Sequence, residues 1–157
     1  MRKVFSAGAD LEEVKAGGLA NNSLWESVSQ AVFDLPFMSI AALNGTLAGG
    51  AFGMALACDA RFSVENANFF YPVMALGVMP QPSDPGRMSD LIGPSKTALL
   101  LQGGQKVSAD TALAWGLIDR IVDDPASEAF EVMQSSQKAS PEHRAAIKAL
   151  MRNGRKS

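Results

Sequence analysis

Gly49-Gly50 is the part of this chain best suited to chemistry. It lies between the apolar run Met38 to Leu43 and a stretch in which Ala51, Met54, Ala55 and Cys58 recur at helical spacing. Glycines let a ligand come close to main-chain N–H groups, and the first turn of a helix offers unpaired donors and a partial positive charge. A developing oxyanion would be stabilised there. A helix packed tightly on a strand through small residues accounts for the same glycines, and these residues alone do not choose between the two readings.

Little else in the chain suggests a reactive cluster. One histidine, His143, and one cysteine, Cys58, lie far apart in the sequence and make no metal-ligand set, so no metal is expected. A single cysteine excludes an intrachain disulfide, and its apolar neighbours favour an inert buried thiol over a reactive one. With 157 residues, 47% hydrophobic and 19% charged, the chain can bury one sizeable core. The net charge of −2 gives no general reason to expect nucleic acid as a partner. Pro36 to Cys58 carries no charge and is long enough to span a bilayer, with Gly45, Gly49 and Gly53 at small-xxx-small spacing. Pro36, Asn44 and the strand-turn-helix break argue against one continuous helix, and no flanking basic cluster sets an orientation. No membrane association is expected, no secretory leader is legible in Arg2 to Asp10, and the cytoplasm is the expected location.

The elements that must position the glycines follow from local signals. Arg2 to Phe5 reads as the end of a strand that runs into the small-residue loop Ser6 to Asp10. A short helix, Leu11 to Lys15, is closed by Gly17-Gly18. Asn21-Asn22-Ser23 offers a cap for a helix with Leu24, Val28, Ala31, Val32 and Leu35 on its apolar side, stopped by Pro36. Met38 to Leu43 is a strand and Asn44-Gly45 a turn. Ala60 to Val64 and Asn68 to Tyr71 read as strands, and Met79 to Gly86 as a loop. Helices follow at Ser95 to Gln102, Ala109 to Trp115 (cap Ser108, stop Gly116), Ala126 to Ser136, and Pro141 to Met151 behind Ser140. Leu117 to Val122 is extended. Strands alternating with helices predict an α/β fold with mainly parallel pairing.

The order of these residues resembles the crotonase superfamily, the enoyl-CoA hydratase/isomerase enzymes. Phe5 to Leu11, Ile40 to Gly45 and Gly49-Gly50 through Ala55-Leu56-Ala57-Cys58-Asp59 carry the likeness. Ala60-Arg61-Phe62, Glu65-Asn66-Ala67, Pro72, Leu76-Gly77, Pro80, Arg87, Leu91-Ile92-Gly93 and Ala112 to Ile118 continue it in order. The resemblance implies a ClpP/crotonase spiral of ββα turns, an acyl-CoA thioester as substrate, and an oxyanion hole for its enolate. It also implies assembly into trimers or hexamers. Coenzyme A would enter as part of the substrate, with no separate cofactor. Carried over by position, the backbone N–H groups of Ala9 and Gly50 would be the two oxyanion donors, and the small residues Ala7, Gly8 and Gly49 would lie against the substrate. Solvated surface charge is the expected role of Lys3 and Arg2, with screening of the CoA phosphates as the alternative.

Two departures matter. Where the family's hydratases carry glutamates, this chain has Gly53 and Val73, so both general acid/base carboxylates are replaced. Water addition needs a base for the water and an acid for the α-carbon, each worth about 10²–10⁴-fold. Asp84, in the proline-rich loop, is the first candidate to replace them, against a helix N-terminal acid as the plain alternative. Asp59 is expected to brace a strand junction, Glu65 and His143 to be solvated, and Tyr71 either to donate a hydrogen bond in the pocket or to pack in the core. Met54, Met74, Met79 and Met88 line an acyl pocket or fill core. The chain is also shorter than the family's members, so an incomplete spiral is expected, with a crotonase core over 1–122 and a truncated helical segment over 123–157. Two functions stand: an acyl-CoA lyase or isomerase, and a non-catalytic CoA-binding or assembly protein.

Overall fold

The computed structural model describes residues 4–8 and 23–153, and two small sheets carry its architecture. One sheet has the strand order β1 (Val4–Ser6), β3 (Thr46–Ala48), β5 (Asn68–Phe70), β6 (Val107–Ser108). The other has the order β2 (Ile40–Leu43), β4 (Ala60–Ser63), β7 (Arg120–Ile121). Asn44-Gly45 carries the chain from β2 on one sheet to β3 on the other, and β4 and β5 repeat the move. Each strand pair therefore adds one strand to each sheet before the next helix. Parallel pairing links the repeats, Ile40 to Ala60 through Leu43 to Ser63 in one sheet and Leu47 to Phe69 in the other. This is the α/β spiral that the resemblance implied.

Helices follow the strands: α1 (Leu24–Phe33), α2 (Phe52–Ala57), α3 (Val73–Leu76), α4 (Asp84–Ile92), α5 (Pro94–Leu101), α6 (Ala109–Trp115), α7 (Pro125–Ser136) and α8 (Pro141–Asn153). Their ends obey local chemistry. Ser108 Oγ accepts from the Thr111 N–H at 3.3 Å to open α6, and Gly116, at φ +83°, closes it. Asp124 Oδ1 accepts from the N–H groups of Ala126 and Ser127, both at 3.1 Å, to open α7.

The core lies among β2, β3, β5, α2, α4 and α5. Leu43, Phe69, Met88 and Leu100 are fully buried, each worth about 1.5–3 kcal/mol relative to exposure. Two buried cations brace it. Arg61 Nε donates to Leu117 O at 2.9 Å, Nη1 to Cys58 O at 2.8 Å, and Nη2 to Asp119 Oδ2 at 3.2 Å. Lys148 Nζ, from α8, donates to Phe37 O at 2.6 Å and Asp59 Oδ2 at 2.7 Å. Asp59 also accepts from Ser39 N at 2.8 Å, so it braces the junction between β2 and β4 as expected. No helix among the described residues is long and apolar enough to cross a membrane.

Several local expectations need correction. Thr46–Ala48 is a strand that the sequence shows only as residues between glycine turns, and Met79 to Gly86 is a loop only as far as Ser83, because Asp84-Pro85-Gly86 already form the first turn of α4. The inner face of α1 is not the predicted stripe. Leu24, Val28 and Leu35 are exposed, and Ser29 is the buried residue of that helix. Met88 is core, whereas Met74 and Met79 are exposed. The predicted helix Leu11 to Lys15 lies outside the described residues, as do Lys3 and Ala9.

Candidate functional site

The glycine unit is a short 3₁₀ turn, Gly49–Ala51, that runs straight into α2. Gly49 has φ +61°, and a Cβ on it would meet Ala7 O at 2.9 Å; Gly8 has φ +83°, and a Cβ on it would meet Gly50 N at 2.7 Å. Both positions thus require glycine on conformational and on steric grounds. The loop after β1 lies directly against the start of the helical unit, which brings Ala7, Gly8, Gly49 and Gly50 together. A Cβ on Gly50, by contrast, would meet nothing within 4 Å among the described residues. Gly50 is half-buried, at the end of a helical segment whose first N–H groups have no partner inside the helix.

One turn further along, Gly53 faces two polar side chains from other helices. A Cβ there would lie 2.9 Å from Asp84 Oδ1 and 3.3 Å from Ser29 Oγ. Asp84 is fully buried although it sits in the first turn of α4. Its Oδ2 accepts from the Tyr71 hydroxyl at 2.9 Å, and its Oδ1 has no hydrogen-bond partner among the described residues. Burial pushes the Asp84 carboxyl up to about 6; the Tyr71 bond and the Arg87 charge pull it down, and Glu26 adds to the rise. Burial and the neighbouring Asp84 also raise the Tyr71 phenol, which stays protonated and able to donate.

Among the described residues Tyr71 alone bonds this carboxylate, and the contacts around it fix the neighbouring backbone. Tyr71 is buried and stacked on Phe52, with ring centroids 5.5 Å apart. Glu26 Oε2, on α1, accepts from the Ser83 N–H at 3.3 Å and the Ser83 hydroxyl at 3.1 Å, which fixes the start of α4. Ser29 Oγ donates to Gly53 O at 2.9 Å and accepts from Arg87, whose guanidinium also lies 4.9 Å from the centre of the Phe33 ring. Ser29 and Glu26 carry no local signal, because their partners stand 24 and 57 residues away. Glu65 and His143 are exposed, as expected. Cys58 donates to Met54 O at 3.3 Å, and burial pushes its thiol up, away from a reactive thiolate. A cavity of about 510 Å³ opens at the other end of α2, lined by Phe33, Cys58, Asp59 and Arg87 among others; neither Gly50 nor Asp84 borders it. Among the described residues no group of His, Cys, Asp and Glu is placed to hold a metal ion.

Comparison with known proteins agrees with this architecture. The profile of the enoyl-CoA hydratase/isomerase family matches residues 1–156. The chain belongs to that family. It is 35% identical over 156 residues to carnitinyl-CoA dehydratase of Salmonella enteritidis, which covers 96% of this chain and 59% of that protein. Among solved structures, DspI of Pseudomonas aeruginosa superposes with a TM-score of 0.87 at 30% identity, over 98% of this chain and 61% of the other. An enoyl-CoA hydratase of Thermoplasma volcanium does so with a TM-score of 0.85 at 26% identity, over 99% of this chain and 64% of the other. The chain therefore spans about three fifths of the length of these relatives. Around α2 this chain brings together a glycine turn, a glycine at position 53 and, from α4, a carboxylate against that glycine.

Proposed function

We propose that this chain acts on an acyl-CoA thioester, stabilising its enolate at the backbone N–H groups of Gly50 and Ala9 and moving protons through Asp84. The observation that carries this reading is the placing of Asp84 Oδ1 against Gly53, one helical turn beyond Gly50. A thioester oxygen at Gly50 would bring the acyl α-carbon toward the same face of the helix. Ala7, Gly8 and Gly49 line the approach in this reading, and Lys3 is the candidate to screen the CoA phosphates. Removing one oxyanion donor of this kind costs about 3–4 kcal/mol of transition-state stabilisation. A carboxyl poised near 6 is a suitable proton carrier near neutral pH, since it can be found in either state. Coenzyme A is part of the substrate in this reading, and the working form is a trimer or hexamer, which light scattering would reveal.

The experiment is turnover of a panel of enoyl-, dienoyl- and β-ketoacyl-CoA thioesters by the wild type and by Asp84→Asn. Turnover of at least one thioester, lost in Asp84→Asn, supports the reading. Calorimetric binding with no turnover of any thioester would overturn it in favour of a non-catalytic CoA-binding protein, and turnover that survives Asp84→Asn would remove Asp84 from the chemistry.

A further inference from the structure

The space in front of Gly53 admits one occupant. A Cβ on residue 53 would lie 2.9 Å from Asp84 Oδ1 and 3.5 Å from Oδ2, so any side chain there and the Asp84 carboxylate exclude each other. Of the two carboxylate oxygens, Oδ2 is held by Tyr71 at 2.9 Å, and Oδ1 is buried without a hydrogen-bond partner among the described residues. Native structures seldom leave such an atom unpaired. Tyr71 has little freedom to do anything else. Its ring is stacked on Phe52 with 13° between the planes, and its oxygen accepts from Gln81 N at 3.4 Å, so the single hydroxyl proton is directed to Asp84.

We infer that Gly53 and Tyr71 are positioning residues for proton transfer: Gly53 makes room for the Asp84 carboxylate, and Tyr71 pins Oδ2 so that Oδ1 alone is presented beside α2. This inference rests on the reading of Asp84 given above. The step it serves is balanced within the site. The α C–H bond of the thioester breaks, its proton passes to Oδ1, and the electron pair moves onto the thioester oxygen as an enolate. Return of the proton from Oδ1 to carbon reverses the charges. The titratable and charged groups that face Asp84 are Tyr71, Glu26 on α1 and Arg87 on α4; α2 contributes none. Loss of the Tyr71 hydroxyl removes a bond that lowers the Asp84 carboxyl, so the carboxyl moves upward. A base with a higher pKa becomes active at a higher pH.

The test is exchange of α-hydrogens of acyl-CoA thioesters in deuterium oxide, followed by mass spectrometry from about pH 5 to about pH 9. Tyr71→Phe is expected to displace the acid limb of kcat upward by at least about half a pH unit, with a smaller change in KM. Gly53→Ala, which forces the carboxylate aside, is expected to lower exchange at least about tenfold and to alter the same limb. Carbon-13 carboxyl NMR of each folded variant follows Asp84 without reference to turnover, and Gly53→Ala keeps the test open if Tyr71→Phe does not fold. Exchange that needs Asp84 but keeps its acid limb in both variants, or an Asp84 resonance that titrates unchanged in Tyr71→Phe, overturns the inference alone. Absence of exchange in the wild type, or exchange that persists in Asp84→Asn, overturns the proposed function and this positioning role with it.

Discussion

Asp84→Asn should change how stability depends on pH, independently of any substrate. The folded protein holds the Asp84 carboxyl at about 6, against 3.8 for the free side chain, because the group is wholly buried. Between those values the unfolded chain has released the proton while the folded chain keeps it, so stability falls as pH rises through that window. The rise of about two units, at about 1.4 kcal/mol each, amounts to about 3 kcal/mol. The penalty is absent below about pH 4 and complete above about pH 7. Asparagine does not titrate, so its constant cost of altered packing and hydrogen bonding cancels when one variant is compared across pH. Urea unfolding of wild type and Asp84→Asn at a series of pH values gives the difference directly. Relative to wild type, the variant should gain about 3 kcal/mol on going from pH 4 to pH 8. Parallel stability curves would refute the argument, since they would mean that Asp84 titrates alike in the folded and unfolded states.

Three further outcomes follow from the same contacts. Gly8→Ala places a Cβ 2.7 Å from Gly50 N at φ +83°, so it should cost about 1–2 kcal/mol in urea unfolding and reduce acyl-CoA turnover. Arg61→Leu leaves buried carbonyls without their donor, and each such loss costs about 1–3 kcal/mol, so thermal unfolding should show a drop of about 3 kcal/mol or more. Lys148→Met removes the bonds to Phe37 O and Asp59, each charge-assisted and worth about 1.5–3 kcal/mol, and hydrogen exchange should quicken in α8 before the rest of the chain.

How much of this was legible in the sequence depends on how far each partner lies along the chain. Ser108 and Gly116 announce their helix ends because a cap acts within three residues. The Gly49-Gly50 turn was legible for the same reason. Thr46–Ala48 was not, since three residues between two glycine turns are too few to show alternation. Pro82, Pro85 and Gly86 make Met79 to Gly86 read as a loop, yet the alternative reading of Asp84 as a helix N-terminal acid is the one α4 bears out, because a proline in the first turn gives up no needed N–H. The inner face of α1 was misjudged because apolar spacing marks a buried stripe only when the neighbour offers apolar surface. Here the neighbour is the bare backbone of Gly53, and the small polar Ser29 fits against it. The buried bracing roles of Arg61 and Lys148 leave no local signal, because their acceptors include carbonyls 56 and 111 residues distant.

The shared volume between α2 and α4 also constrains how such a sequence can change. With Asp84 in place, a Cβ at position 53 would lie 2.9 Å from Oδ1, so a side chain at 53 has to displace the carboxylate from its present place. A chain that moved its carboxylate from one helix to the other while retaining both would have to turn one of them out of this space. The alternatives are a form with neither, or one whose helices have moved apart. Substitutions at 53 and 84 should therefore be inherited as a pair. A relative with the same packing and large residues at both positions would show that the two helices have separated.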